Sequence, residues 1–445
     1  MTVKNETKSE MKFYIPAPDE WDPRTRVELT FGLGDAIRYH REMTVPGIGG
    51  LTYVRQASWA VAGIDIAGKD LGNKRYRARD IANAIEALGC KLEYRHVGKE
   101  NYTHIGSRAF GREPDAHLFE ELRKESFYVR NTYRQTIVTA LTSLEFCDTS
   151  TRFNQMKLTD KGEDLKKAFY DSKIFFLKQG MKKRKNKSCE EFLFDWVQGN
   201  RSNVFENEDF YKALSISTPT ELEKQIVRNR LYTKTPKITY DKNRRIRLMD
   251  LMEIIDLDNL SEEGLCRELE RMGGADHSKQ ISDAIRFNIM RQRAVDLLRE
   301  CALLVNSLGK TEVELSECHN HESIKKAFEE LKDACEEYDS KLHRKEDVPQ
   351  TAKDFATSIK DKPILDGIEY LVSKEYGVLD VVNKRLRPLN LFDKFLNRFT
   401  NDESEENEAE EEDSADLSTD KEINQTGFVL PRLSQWLKLW KDAHV

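Results

Sequence analysis

The apolar positions of this chain recur mostly three or four residues apart, which is the spacing of one helix face. Helices are predicted over about 26–43 and 52–66, separated by the turn-forming run Pro46-Gly47-Ile48-Gly49-Gly50. A third is predicted over 77–89, where Ile81, Ile85 and Leu88 share a face, and residues 90–96 read as a short strand. Residues 13–21, with Pro16 and Pro18, read as an extended strap. Short helices are predicted near 189–198, 206–215 and 219–232, with strand pieces around 237–248. The signal then strengthens. A long helix fits 278–308, with Ile281, Ile285 and Ile289 four apart, and another fits 322–343, where Ile324, Phe328, Leu331, Cys335 and Tyr338 form one stripe. Helices over 350–361, 363–374 and 377–398 complete a helical bundle.

Residues 401–425 break the pattern, being acidic and too poor in apolar side chains to form a core. Behind them a last helix opens at Pro431, a favoured first-turn residue. Leu433, Trp436, Leu437 and Trp440 fall at i, i+3, i+4 and i+7 along it. Two readings of that stripe stay open: it docks in a groove of a protein partner, or it folds back on its own core.

Composition narrows the class. Apolar residues make up 38% of the 445 positions, enough for real cores, while 34% are charged, which suits long solvated helices. With 11 Pro and 22 Gly, a turn-rich β sandwich is excluded and a mainly α, multi-domain chain is expected. Residues 1–12 are polar, so no signal peptide is expected, and no run approaches the ~20 apolar residues of a membrane span. The 7 cysteines are scattered without a CxxC pair, which points to a reducing, cytoplasmic setting with thiols packed as small core groups. The net charge of −6 divides into about +10 over residues 1–250 and about −16 over the remainder. A basic front half favours an anionic partner, with DNA the commonest.

The most informative segment follows Pro114. One helix is expected over 115–122 and a second over 129–144, whose buried face is Ile137, Ala140, Leu141 and Leu144. Arg130, Asn131, Arg134, Gln135 and Thr139 are then expected on or near its outer face. Two short strands, 145–147 and 153–158, flank a polar tip, and Leu158-Thr159-x-Lys161-Gly162 opens the next helix. This arrangement resembles the end of a winged helix-turn-helix domain of the regulator kind, over about residues 114–172. The resemblance implies that Arg130, Arg134 and Gln135 lie on a recognition helix, and that Arg152, Asn154 and Lys157 lie on the wing. Winged helices also serve as protein-docking modules, so the fold does not decide between DNA and protein. The basic run Lys182, Lys183, Arg184 and Lys185 reads as an exposed loop and a further phosphate contact.

Catalytic constellations are sparse. Arg112 and His117 have the R-x4-H spacing seen in a family of helical-bundle ribonucleases, yet Pro114 stands between them where a shared helix would have to run. Cys318-His319-Asn320-His321-Glu322 concentrates metal-capable groups, with His343 a helix away, but supplies no matching second pair; a helix cap is the simpler account. Asp115, Glu120 and Glu121 lack the Lys partner of a metal-dependent nuclease. No phosphate-binding loop, nucleophile elbow or dinucleotide fingerprint is present, so no metal or cofactor is expected.

The expected organisation is a helical region over 1–113, a winged-helix module over 114–177, a mixed or irregular region over 178–275, a helical bundle over 276–400, an acidic linker over 401–425 and a docking helix over 426–445. That order looks like the layout of bacterial kleisin-type subunits of chromosome-organising complexes, and also fits accessory proteins of phage-defence or restriction systems. The expected function is a non-catalytic, DNA-associated adaptor with a protein partner and no membrane contact. The alternatives are a dimeric winged-helix transcription regulator, or a nuclease built on Arg112 and His117 or on a metal site near Cys318 to Glu322.

Overall fold

The structure, a computed structural model, describes residues 29–69, 76–124, 127–129, 132–148, 152–171, 173–177, 184–199, 208–232, 245–246, 248–250, 271, 274–343, 346–375, 377–400 and 431–444. It is mainly helical. The chain divides into two compact units. The larger holds Ile37–Ile289, Lys341–Asp347 and Ser404–Val445, and the smaller holds Met1–Ala36, Met290–Ser340 and Val348–Glu403.

The larger unit is built around α2 (Val54–Ala67) and α3 (Ala78–Val97), which pack side by side after α1 (Gly34–Thr44). α2 is buried on nearly every side, as its Ala-rich sequence allows, and even Arg55, Gln56 and Ser58 lie inside. Arg55 is compensated by Glu223 at 3.2 Å and by the carbonyl of Ala213 at 3.0 Å, while Ser58 donates to Glu223 at 2.6 Å. Breaking such a fully buried pair from one side leaves an uncompensated charge. α3 continues to Val97, so residues 90–96 are helix and not the expected strand. Cys90 and Leu92 prolong its buried face, and the Gly98 amide closes the last turn on Tyr94.

Around this pair lie α4 (Ser107–Arg112), α5 (Phe119–Leu122), α6 (Tyr133–Thr136), α7 (Val138–Ser143) and α8 (Asp160–Tyr170). A two-stranded antiparallel ribbon of β1 (Lys173–Leu177) and β2 (Arg184–Ser188) then leads to α9 (Cys189–Val197), α10 (Glu208–Leu214) and α11 (Glu221–Leu231). The last three lie close to where the sequence places them. Ser188 and Thr220 start α9 and α11 as capping boxes with Glu191 and Glu223. Arg184 and Lys185 belong to β2, which corrects the expected loop there; Lys182 and Lys183 lie outside the described residues. The expected strand pieces around 237–248 fall mostly outside them as well, and 245–246 is helical.

The expected boundaries at 113 and 177 do not separate cores. Ile137, Leu141, Leu144, Phe153 and Leu165 share one buried cluster with Val54 and Val61 of α2, Val227 and Leu231 of α11, and Ile281. Leu433 and Trp436, on the terminal helix Pro431–His444, are fully buried in that same cluster.

A helix of 35 residues, α12 (Gly274–Leu308), begins in the larger unit and ends in the smaller. The smaller unit continues with β3 (Val313–Glu314), α13 (Leu315–Asn320), α14 (Glu322–Lys341), α15 (Gln350–Lys360) and α16 (Ile364–Lys374). α14, α15 and α16 match the helices read from apolar spacing, whereas β3 and α13 were not expected. The helix expected over 377–398 is instead a hairpin, β4 (Leu379–Val382) and β5 (Arg385–Pro388), followed by α17 (Phe392–Thr400). Asn383 and Lys384 both take positive φ, 52° and 61°, the tight turn that suits a two-residue hairpin. Val381 and Val382 lead into it, Pro388 forbids a continuing helix, and β3 completes a three-stranded antiparallel sheet in the order β3–β5–β4. The terminal helix is α18 (Pro431–His444).

Candidate nucleic-acid interface

The long helix expected over 129–144 is two short ones, and the Pro46–Gly50 turn explains the break. The Gly50 amide donates to the carbonyl of Thr136 at 2.7 Å, occupying the acceptor near which the helix kinks at Ile137. Gly49 makes this approach possible: it sits at a positive φ of 51°, and a Cβ there would lie 2.8 Å from the Thr136 oxygen. Upstream, Thr132 and Gln135 form a capping box at the start of α6. Glu86, reaching across from α3, accepts the amides of Tyr133 at 2.7 Å and Arg134 at 2.9 Å, and the Tyr128 hydroxyl as well. Burial pushes the Glu86 carboxyl up to about 7, against the pull of these three donors.

α7 ends where Glu145 turns to a positive φ of 59°. The freed carbonyl of Leu141 accepts from Phe146 and Cys147, and Arg230 of α11 caps Leu144 at 2.8 Å while pairing with Glu145. The expected pair of wing strands reduces to a single bridge, Cys147 with Leu158. Phe153 and Met156 are drawn into the core, which winds 153–155 into a 3-10 turn where alternation would have made a strand. Leu158-Thr159-x-Lys161-Gly162 does open a helix, α8, with the Thr159 hydroxyl accepting the Gly162 amide at 3.2 Å. Gly162 packs so tightly on the Phe146 carbonyl that no Cβ fits between them.

These contacts place the expected site residues as follows. Gln135 and Thr139 are exposed, one turn apart, on the outer face of α6 and α7. Arg152 and Lys157 are exposed on the adjoining turn. Asn154 is exposed too, but its side-chain oxygen accepts the Arg79 amide at 2.9 Å and so caps α3. Arg134 is a correction: it is only 9% exposed, donates from Nε to Asn83 at 2.7 Å, and lies over the Phe153 ring at 5.2 Å. It turns inward because Asn83 presents an acceptor to its guanidinium, and Glu86 holds its backbone amide, where an outer-face residue would meet water. Arg130 and Asn131 lie outside the described residues, and of the Arg184 and Lys185 side chains nothing is described.

Sequence reading overlooked Arg77 and Arg79. They start α3, pair with Asp80 at 3.0 Å each, and are brought to the 152–157 turn by the Asn154 cap. Their signal was Arg-x-Arg-Asp at a helix start, two cations in the first turn beside one acid.

The remaining candidates separate. Arg112 ends α4 and is exposed, whereas His117 lies in the loop beyond Pro114, with Nδ1 2.7 Å from the Asp115 carbonyl and its own carbonyl accepting from Trp196 at 2.9 Å. Cys318 is buried, while His319, His321 and Glu322 point to solvent. His343 is paired with Asp283 at 2.9 Å. Among the described residues no group of three or more His, Cys, Asp or Glu could hold a metal ion, and no helix is long and apolar enough to cross a membrane. Of the two readings left open for the terminal stripe, the structure has the fold-back: Leu433 and Trp436 are buried in the chain's own core and Leu437 and Trp440 are half-buried against it, which corrects their assignment as partner-binding residues.

Comparison with family models, curated proteins and solved structures finds no match to this chain.

Proposed function

We propose that this chain is a non-catalytic, nucleic-acid-associated adaptor or subunit, which meets a duplex through the outer face of α6 and α7 and the 152–157 turn. The observation that carries this reading is a set of exposed donors on a rigid base. Gln135 and Thr139 offer short neutral donors one turn apart, and Arg152 and Lys157 are exposed cations on the turn that follows in the chain. The turn is tied to α6 by Arg134 over Phe153, and to α3 by the Asn154 cap. Neutral amides and hydroxyls suit base edges, whereas cations suit phosphates. The basic excess of the front half of the chain adds long-range attraction. The layout analogy suggests a chromosome-organising or phage-defence assembly for such a subunit.

The test is binding of a fluorescent duplex of about 30 base pairs to the full chain, followed by anisotropy over a salt series. Arg152→Glu with Lys157→Glu should weaken binding by at least tenfold and lower the salt slope by about 2, since each phosphate contact contributes roughly 0.9. An unchanged affinity and slope would remove the reading.

A second observation bears on the smaller unit. Its strand order β3–β5–β4, with β3 between two helices and α16 running into the β4–β5 hairpin, supports a winged-helix connectivity with α14 and α15 interposed. Asp366 and Ser373 are exposed on the outer side of α16, and Glu369 is partly so. The hairpin cations are already paired, Lys384 with Glu369 and Arg385 with Glu314. Acids on that face repel phosphate, so nucleic-acid contact is assigned to α6 and α7, not to α16.

A further inference from the structure

The chain enters α3 through Lys74-Arg75-Tyr76-Arg77-Ala78-Arg79, four cations in six residues, of which Lys74 and Arg75 lie outside the described residues. Arg77 is the N-cap residue of α3 and Arg79 lies in its first turn, where the helix dipole favours acids over cations. The one acid of that turn, Asp80, holds both guanidiniums: its carboxylate accepts from Nε of Arg77 and from Nε of Arg79, each at 3.0 Å. Both bonds use the Nε edge. Among the described residues the terminal nitrogens of the two arginines have no partner. Two guanidiniums against one carboxylate leave a surplus of positive charge, on side chains that are 59% exposed at Arg77 and 35% at Arg79.

The same helix end is the seat of the 152–157 turn. Asn154 accepts the Arg79 amide at 2.9 Å, and Arg134, which lies over the Phe153 ring, donates to Asn83 one turn further along α3. The exposed cations Arg152 and Lys157 are therefore carried on a turn fastened to the helix end that carries Arg77 and Arg79. We propose that Arg77 and Arg79, oriented by Asp80, are a phosphodiester-binding pair that extends the nucleic-acid interface from that turn onto the start of α3. The proposal rests on the reading of the 152–157 turn as a duplex contact, and names two further residues that would touch the backbone.

Three physical terms act together at this place. The shared carboxylate fixes two long side chains before binding, so less rotamer freedom is lost when an anion arrives. The terminal nitrogens of a guanidinium match the oxygens of a phosphate in a way that an ammonium does not. A phosphate here also meets the positive end of a 20-residue helix, which offsets the unfavourable placement of two cations on it. A folding role does not account for the pair, because one arginine would satisfy Asp80 and a second cation at a helix start is destabilising. Contacts of this kind carry no sequence information, so their loss should weaken binding to any duplex alike.

The experiment measures anisotropy of two unrelated fluorescent duplexes of about 30 base pairs with the full chain over a salt series, with circular dichroism to check each variant's fold. Arg77→Gln with Arg79→Gln should weaken binding at least fivefold at low salt for both duplexes and lower the salt slope by about 2, at roughly 0.9 per phosphate. Arg77→Gln alone, at the more exposed position, should lower it by about 1 and serves if the double variant loses helix. Arg77→Lys with Arg79→Lys keeps the charge and should restore the slope, with part of the affinity lost with the guanidinium geometry. A slope unchanged by the glutamine variants, where Arg152→Glu with Lys157→Glu lowers it, overturns the pair and leaves the turn as the interface. A lysine variant with the slope of the glutamine variant also overturns the pair, because the loss would then follow from the helix end and not from charge. The opposite split, with the slope lowered by the glutamine variants alone, upholds the pair and removes the turn. A parent chain that binds neither duplex overturns both.

Discussion

Asp442, on the last helix of the chain, accepts the backbone amide of Val54 at 2.6 Å and so caps the first turn of the central helix α2 across 388 residues of sequence. The same helix end is tied to α11, where Arg228 donates to the Ala443 carbonyl at 3.1 and 2.6 Å. α18 is therefore part of the core of the larger unit rather than an appendage to it. Burial raises the Asp442 carboxyl to about 6. Trp436→Ala should cost about 3–5 kcal/mol, the usual range for truncating a buried large aromatic, and Asp442→Ala about 1 kcal/mol for loss of a cap. Urea unfolding followed by circular dichroism measures both. A Trp436→Ala protein as stable as the parent would show that α18 does not hold this core.

Glu86 has a stability signature of its own. Its carboxyl is raised from 4.5 to about 7 in the fold, mainly by burial. A carboxyl raised on folding stays protonated in the native state while the unfolded chain has already ionised. Its contribution is therefore greatest below about 4.5, falls as pH rises towards 7, and is constant above that, a change of about 3 kcal/mol. His40 and His104, lowered by burial to about 3 and about 4, act in the opposite sense, because acid favours their unfolded, protonated forms. The readout is therefore the difference between Glu86→Gln and the parent. Relative to the parent, the variant should gain stability between pH 4.5 and 7. Parallel profiles across that window would mean that Glu86 ionises normally inside the fold.

Much of this fold is legible in the sequence where apolar spacing is the only signal needed, as in α14, whose stripe of Ile324, Phe328, Leu331, Cys335 and Tyr338 is buried. Legibility fails where a distant partner decides. Arg134 looks like an outer-face residue by periodicity, and only the fold brings Asn83 to it. Glu86 could have been suspected, since it is an acid between Ile85 and Ala87 in an otherwise apolar run. The β4–β5 hairpin escaped because Asn383-Lys384 lacks the glycine that usually marks such a turn. Of the candidate interface, Gln135, Arg152 and Lys157 were readable as exposed; the tie of Asn154 to α3 was not, because it joins residues 75 apart.

Gly162 offers a sharp test of the one motif that sequence and structure share. Any Cβ at this position meets the backbone oxygen of Phe146, which cannot rotate away because it also accepts the Thr159 amide at 3.1 Å. Alanine is the better helix former, so Gly162→Ala on an open helix would stabilise by roughly 0.5–1 kcal/mol. Here the clash should reverse the sign and cost about 1–3 kcal/mol. A thermal midpoint at or above the parent's would show that α8 can shift from the 146–147 segment at no cost.

Arg134 and Arg152 distinguish a folding role from a binding role on the same surface. Arg134 is buried and bonded to Asn83, so Arg134→Ala leaves that acceptor with the Thr132 hydroxyl alone and the Phe153 ring without its cation, and should lower stability by about 1–3 kcal/mol. At a temperature where the variant stays folded, its affinity for a duplex should remain within about twofold of the parent's. Arg152→Ala, at an exposed position, should show the reverse balance, with a smaller loss of stability than Arg134→Ala and a duplex affinity reduced severalfold at low salt. Lys384→Glu with Arg385→Glu, on the acid-paired hairpin, should leave duplex affinity unchanged. If the hairpin variant loses binding and Arg152→Ala does not, the interface belongs to the smaller unit and the assignment to α6 and α7 falls.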